Sequence, residues 1–220
     1  MKISKIVGVI GFVFAGLSSN VGATNYSFTG NFSQDDDVQL FNFSVGATST
    51  VTLRTWSYAG GTNAAGETIL RGGFDPILAL FNGSGQLIGQ NDDGGSLAVL
   101  ADTNGNHYDT FLQIAGLAAG NYTVAVMEYN NFAAGTTLAE GFTRDGQGNF
   151  TRSAMGNTNC PAGAFVDATS ACRDNNWAFD ILNVAEATQV GGTIPEPGSF
   201  ALAALGLASL GALRRRKIHP

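Results

Sequence analysis

"FDPILALFNGSGQLIGQNDDGG", Phe74 to Gly95, decides the fold. Ile77 to Phe81 is an apolar run too short for a buried helix, and the Asn-Gly-Ser-Gly after it is turn chemistry. A second short run, Gln86 to Gln90, follows at once. Two short strands joined by a tight turn read as a β-hairpin. "YDTFLQIAGLAAGNYTVAVMEYN", Tyr108 to Asn130, repeats the plan: a strand over 110–117, a turn at Ala-Ala-Gly-Asn and a strand over 122–129. A second hairpin is expected there.

The flanking sequence has the same period. In "VQLFNFSV", 38–45, Val38 and Leu40 share one face while Phe41 and Phe43 share the other. In "STVTLRTWSYAGG", 49–61, Val51 and Leu53 alternate with Thr52 and Arg54. "GTNAAGETILRGGF", 61–74, is a loop by its glycine and asparagine content. "WAFDILNV", 177–184, supplies a closing strand. About seven to nine strands without intervening helices predict an all-β fold, an antiparallel β-sandwich or jelly roll. It is expected over residues 24–190, with a glycine-rich excursion at 131–174. Cys160 and Cys172 lie in that excursion and are the chain's two cysteines. In an exported chain they are expected to form a disulfide.

Both ends differ from this body. Lys2 and Lys5 precede an apolar run to Leu17, and Val21-Gly22-Ala23 offers small residues for cleavage, so residues 1–23 read as a signal peptide, a signal helix flanking the sandwich. Between Thr24 and Pro197 five arginines face seventeen acidic residues, a net charge of −12, with no lysine. Such a surface repels nucleic acid and attracts divalent cations. Residues 191–197 read as a linker. The C-terminal segment 198–220 carries an apolar run, Ser199 to Leu213, and then Arg214, Arg215, Arg216 and Lys217. As a transmembrane helix those fifteen residues reach about 22 Å, short of a hydrocarbon core of ~30 Å. The cations hold that end on the cytoplasmic side. Pro195 and Pro197 keep the preceding segment extended and open to a processing enzyme.

Pro195-Glu196-Pro197, the apolar run and the Arg214–Arg216 cluster resemble the PEP-CTERM sorting signal. That resemblance implies an exosortase-type processing enzyme as partner and a transient stay in the inner membrane. It also implies delivery to the envelope, outer surface or exterior of a Gram-negative bacterium, and an association with exopolysaccharide and biofilm matrix. In a bacterial host the six Asn-x-Ser/Thr triplets, such as Asn42 and Asn121, are not read by ordinary eukaryotic glycosylation. The body, from Asn25 to Asn131, resembles pre-peptidase C-terminal-like domains. Its Asp-Pro before a strand, paired aspartates after the hairpin and "LAAGNYTV" carry the likeness, which implies a small sandwich used for binding or stability.

No motif marks catalysis. His107 in "NGNHYDT" has no G-x-S-x-G elbow to partner it, and no local pattern selects a carboxylate pair. The expectation is a non-enzymatic protein; the alternative is a secreted hydrolase acting on matrix polysaccharide. Asp75, Asn91, Asp92, Asp93 and Asp109 sit beside strand ends and are the candidate ligands of a calcium ion, since hard cations take several carboxylate and amide oxygens. Asp35, Asp36 and Asp37 form another acidic cluster, and turn chemistry alone explains aspartates at such places equally well. Trp56, Tyr58, Tyr108, Tyr129 and Trp177 would stack on sugar rings if they shared an exposed face.

Overall fold

The computed structural model describes residues 22–191. The signal-peptide expectation up to residue 21 and the whole tail from residue 192 lie outside the described residues.

Thirteen strands run along the chain: β1 Thr24–Asn31, β2 Val38–Val45, β3 Ser49–Thr55, β4 Gly61–Thr62, β5 Thr68–Ile69, β6 Pro76–Asn82, β7 Leu87–Asn91, β8 Phe111–Leu117, β9 Gly120–Glu128, β10 Phe165–Val166, β11 Cys172–Arg173, β12 Asn176–Val184 and β13 Glu186–Gln189. A 3-10 turn at Leu138–Glu140 and one short α-helix, α1 Phe150–Ala154, interrupt them. Two antiparallel sheets dominate, one ordered β1-β12-β3-β8 and the other β13-β2-β9-β6-β7. Aromatic rings bind them face to face. Phe41 of β2 lies 4.7 Å from Phe28 of β1 and 5.0 Å from Phe179 of β12, centroid to centroid. Val51, Leu53, Leu78, Val124 and Ile181 complete this inter-sheet core. The architecture is an all-β sandwich, as the alternating pattern predicts. Val38 and Leu40 turn the other way and pack against a second cluster on the outer face of the five-stranded sheet.

Three departures from the sequence reading have physical causes. Residues 76–91 form the expected hairpin of β6 and β7, with Asn82 Oδ1 accepting from the Ser84 and Gln86 amides at its turn. Residues 110–129 do not form one. β8 pairs with β3, whereas β9 lies between β2 and β6 with both edges taken. The chain therefore crosses from one sheet to the other at Ala118–Gly120, where the Tyr122 hydroxyl donates back to the Ala118 carbonyl at 2.9 Å. The 61–74 loop contains the small β4–β5 pair. The strand at 177–184 is not the last: β13 adds to β2 at the sheet edge.

The excursion does two jobs. Phe132, Ala133, Leu138 and Phe142 cover Ile77, Phe81 and Met127 on the outer face of the five-stranded sheet. That cover leaves β6 buried on both faces, consistent with its unbroken apolar run. The later part closes one end of the sandwich, where Phe165 packs 5.4 Å from Phe74. Cys160 and Cys172 are joined as expected, their Cα atoms 5.5 Å apart. The bridge closes a 12-residue separation, worth about 3 kcal/mol in the chain-entropy account. Replacing both cysteines by serine should lower Tm by about 6–12 °C, measured by calorimetry under oxidising conditions.

Candidate functional site

The end of the sandwich closed by the excursion is acidic. β6 starts there, β7 and β9 finish there, and the segment before β8 enters there. Asp75 directly precedes β6; its carbonyl accepts the Tyr129 amide at 2.8 Å, which ties it to the end of β9. Asn91 is the last residue of β7 and pairs with Leu78, so it shares the core-facing side of that strand. The Thr110 hydroxyl sits against the carbonyls of Pro76 and Asp92 and joins three segments at one point. Gly94 then has to be glycine: a Cβ there would stand 2.6 Å from Val99 and 2.9 Å from Phe111. The Gly94 amide donates to the Asp109 carbonyl at 2.9 Å, which fixes the segment after Asp92 and Asp93 against the entry to β8.

One carboxylate oxygen from each of Asp75, Asp92 and Asp93 lies within 4.8 Å of the others. Asp75 is buried, Asp92 half-buried and Asp93 exposed. Asp75 Oδ1, Asn91 Oδ1 and Asp92 Oδ1 are buried without a hydrogen-bond partner. Burial, and then the charges of Asp93 and Asp92, push the Asp75 carboxyl well above the usual range. Burial and Asp93 raise Asp92 to about 6. Burial, with Asp109 behind it, raises Asp93 as well.

Asp109 stands apart. Its carboxylate accepts from the Thr55 hydroxyl at 3.0 Å and from the amides of Tyr58 and Ala59 at 3.1 and 2.8 Å. It brackets the loop after β3. Asp35 likewise caps α1, accepting from the Phe150 and Thr151 amides, and Asp37 accepts from the Ser33 and Gln34 amides. These are the turn roles that aspartate fills without a ligand.

Glu128, absent from the sequence reading, belongs to this end. It is 1% exposed, and neither of its oxygens has a hydrogen-bond partner. Burial, followed by the charge of Asp75, holds its carboxyl well above the ordinary value. The signal was present: Tyr122, Val124, Val126 and Glu128 share one strand parity, and the first three are core.

A charged network flanks the cluster. Arg173, next to the bridged Cys172, donates to Asp167 at 2.7 Å and Asp102 at 3.0 Å, and its guanidinium lies 3.7 Å over the Tyr58 ring. Burial opposes ionisation of Asp167, but hydrogen bonds from Thr169, Tyr58, Ala171 and Arg173 bring its carboxyl below the usual range. The aromatic residues do not make one exposed face. Tyr58 and Trp177 are buried, Trp56 lies under Arg54, and Tyr129 packs beside Phe132. His107 contacts the Val99 carbonyl through Nδ1 at 3.0 Å.

Pro195, Glu196, Pro197 and Arg214–Arg216 lie outside the described residues, and among the described residues no helix is long and apolar enough to cross a membrane. The described body is thus a β-sandwich with an acidic end, followed by a separate C-terminal signal. Residues 193–217 match the PEP-CTERM protein-sorting motif. Such signals are processed by exosortase, and they imply export in bacteria and sorting to the cell envelope or outside. Among curated proteins, none matches the chain in sequence.

The raised pKa values set a pH dependence for the cation-free protein. A carboxyl whose folded pKa exceeds its unfolded value of ~4 contributes its stability below that pH, and the contribution is lost as pH rises through the folded pKa. Asp75, Asp92, Asp93 and Glu128 all have this sign. In chelator, Tm should therefore be higher at pH 5 than at pH 7.5 when followed by circular dichroism.

Proposed function

We propose that the chain is a non-enzymatic protein of the bacterial envelope or extracellular matrix. An exosortase-type enzyme sorts it, and its sandwich binds calcium at the acidic end and polysaccharide on an outer face. The body is used as a binding and stability module in the manner of pre-peptidase C-terminal-like domains.

The observation that carries the calcium reading is the set of buried, unpartnered oxygens on Asp75, Asn91 and Asp92, beside the exposed carboxylate of Asp93. Leaving such groups without partners is unfavourable, and a hard divalent cation takes this donor set. The envelope exterior is also a place where a surface of this charge meets divalent ions. For polysaccharide, support comes from a groove of about 480 Å³ on the five-stranded sheet. Asn42, Asn82, Asn121, Thr123 and Thr188 line it with amides and hydroxyls, groups that pair with sugar hydroxyls.

Calcium at a hundredfold excess over its Kd should raise Tm by about 5–10 °C, and Asp92→Ala with Asp93→Ala should abolish the rise. An equal Tm with calcium and with chelator would overturn the calcium reading. The intact mass of the protein recovered from its native host should lack the N-terminal 23 residues and the Arg214–Arg216 cluster. Retention of that cluster in a stable inner-membrane form would overturn the sorting account.

A further inference from the structure

We propose that Glu128 is the innermost ligand of the cation site, which therefore reaches from the exposed Asp93 into the space between the two sheets. This rests on the calcium reading above and extends it to a residue at the floor of the acidic end.

Among the described residues, five buried side-chain oxygens have no hydrogen-bond partner, and all five are here: Asp75 Oδ1, Asn91 Oδ1, Asp92 Oδ1 and both oxygens of Glu128. Strand register sets the direction of Asn91 and Glu128. Leu78 pairs with Asn91 on one side and with Val126 on the other, so Asn91 and Val126 look into the same inter-sheet space. Glu128 is two residues beyond Val126 and takes the same face, one step closer to the end of the sandwich. It lies opposite Pro76, the neighbour of Asp75, and the hydrogen bond that the Tyr129 amide donates to the Asp75 carbonyl locks that juxtaposition.

Among the described residues no ion pair reaches Glu128. Arg173 is the positive charge that acts on it, and Arg173 is already engaged by Asp102 and Asp167. A buried carboxylate without a counter-charge is strongly unfavourable. Carboxylate oxygens of Asp75, Asp92 and Asp93 already stand within 4.8 Å of one another, and a cation held there removes that penalty by drawing in the Glu128 carboxylate behind Asp75. Four carboxylates and an amide oxygen make a hard, oxygen-only donor set that suits calcium, whose coordination is adaptable, better than magnesium, which demands near-octahedral geometry.

The test is titration of the full chain with calcium alone by isothermal calorimetry, comparing wild type, Glu128→Gln and Glu128→Asp. Melting in chelator checks folding, and the isosteric Gln should melt no lower than wild type because it removes a buried charge. Both variants should bind calcium about tenfold or more weakly. Wild-type affinity in Glu128→Gln, with binding still lost in the Asp92→Ala, Asp93→Ala pair, would sink this assignment alone and leave Glu128 as a buried carboxyl outside the cation site. Weakening in Glu128→Gln with wild-type affinity in Glu128→Asp would reduce Glu128 to a distant charge and also overturn it. No calcium binding by wild type would remove both this proposal and the reading beneath it.

Discussion

Both edges of β9 are occupied, by β2 on one side and β6 on the other, and much of the rest follows from that constraint. A strand in this position cannot hairpin with its predecessor. The chain must leave the four-stranded sheet, turn at Ala118–Gly120 and enter the five-stranded one. That crossing joins the two sheets covalently at one end, and the aromatic contacts of Phe41 join them through the interior. The same register places Tyr122, Val124 and Val126 in the core and then delivers Glu128 as the next inward residue. A period of two has no means of stopping at the edge of the apolar region. At position 128 the next inward residue is still buried, and here it is a carboxylate.

The excursion is how a chain of this size affords a second layer. The outer face of the five-stranded sheet carries Ile77, Phe81 and Met127, which would be exposed without Phe132, Leu138 and Phe142. Further along, the bridge between Cys160 and Cys172 shortens the path to Arg173, the cation that ties Asp167 and Asp102 together beside the acidic cluster. Cover, staple and counter-charge thus come from one continuous segment. Its weak hydrophobic pattern reflects a role in which individual side chains, not a periodic face, make the contacts.

Local chemistry was legible in the sequence and long-range pairing was not. Phe41 and Phe43 separate from Val38 and Leu40 by alternation alone, and the two sets do pack in different clusters. The β6–β7 hairpin follows from Asn82 and the glycines at its turn. The partner of β8 could not be read that way, because Thr52 and Arg54 of β3 are more than fifty residues away and nothing local marks them. Asp75, Asp92 and Asp93 were legible as strand-end carboxylates that converge. Asp109 has the same appearance in sequence, yet its oxygens are taken by backbone amides that only the folded loop brings near. Glu128 was hidden by its setting, a single acid within an apolar strand, and is recognisable once its parity is counted.

The direction of β13 has a consequence for how the body stands relative to its tail. β13 runs antiparallel to β2, from the pairing of Glu186 with Ser44 to that of Gln189 with Phe41, and then Val190 bonds to Leu40. Val38 of β2 lies opposite Met127, beside Glu128, so the polypeptide departs from the same pole that carries the carboxylates. Six residues from Gln189 reach Pro195, a tether of at most about 20 Å when fully drawn out. The last described residues therefore lead toward the sorting motif from the acidic end of the sandwich.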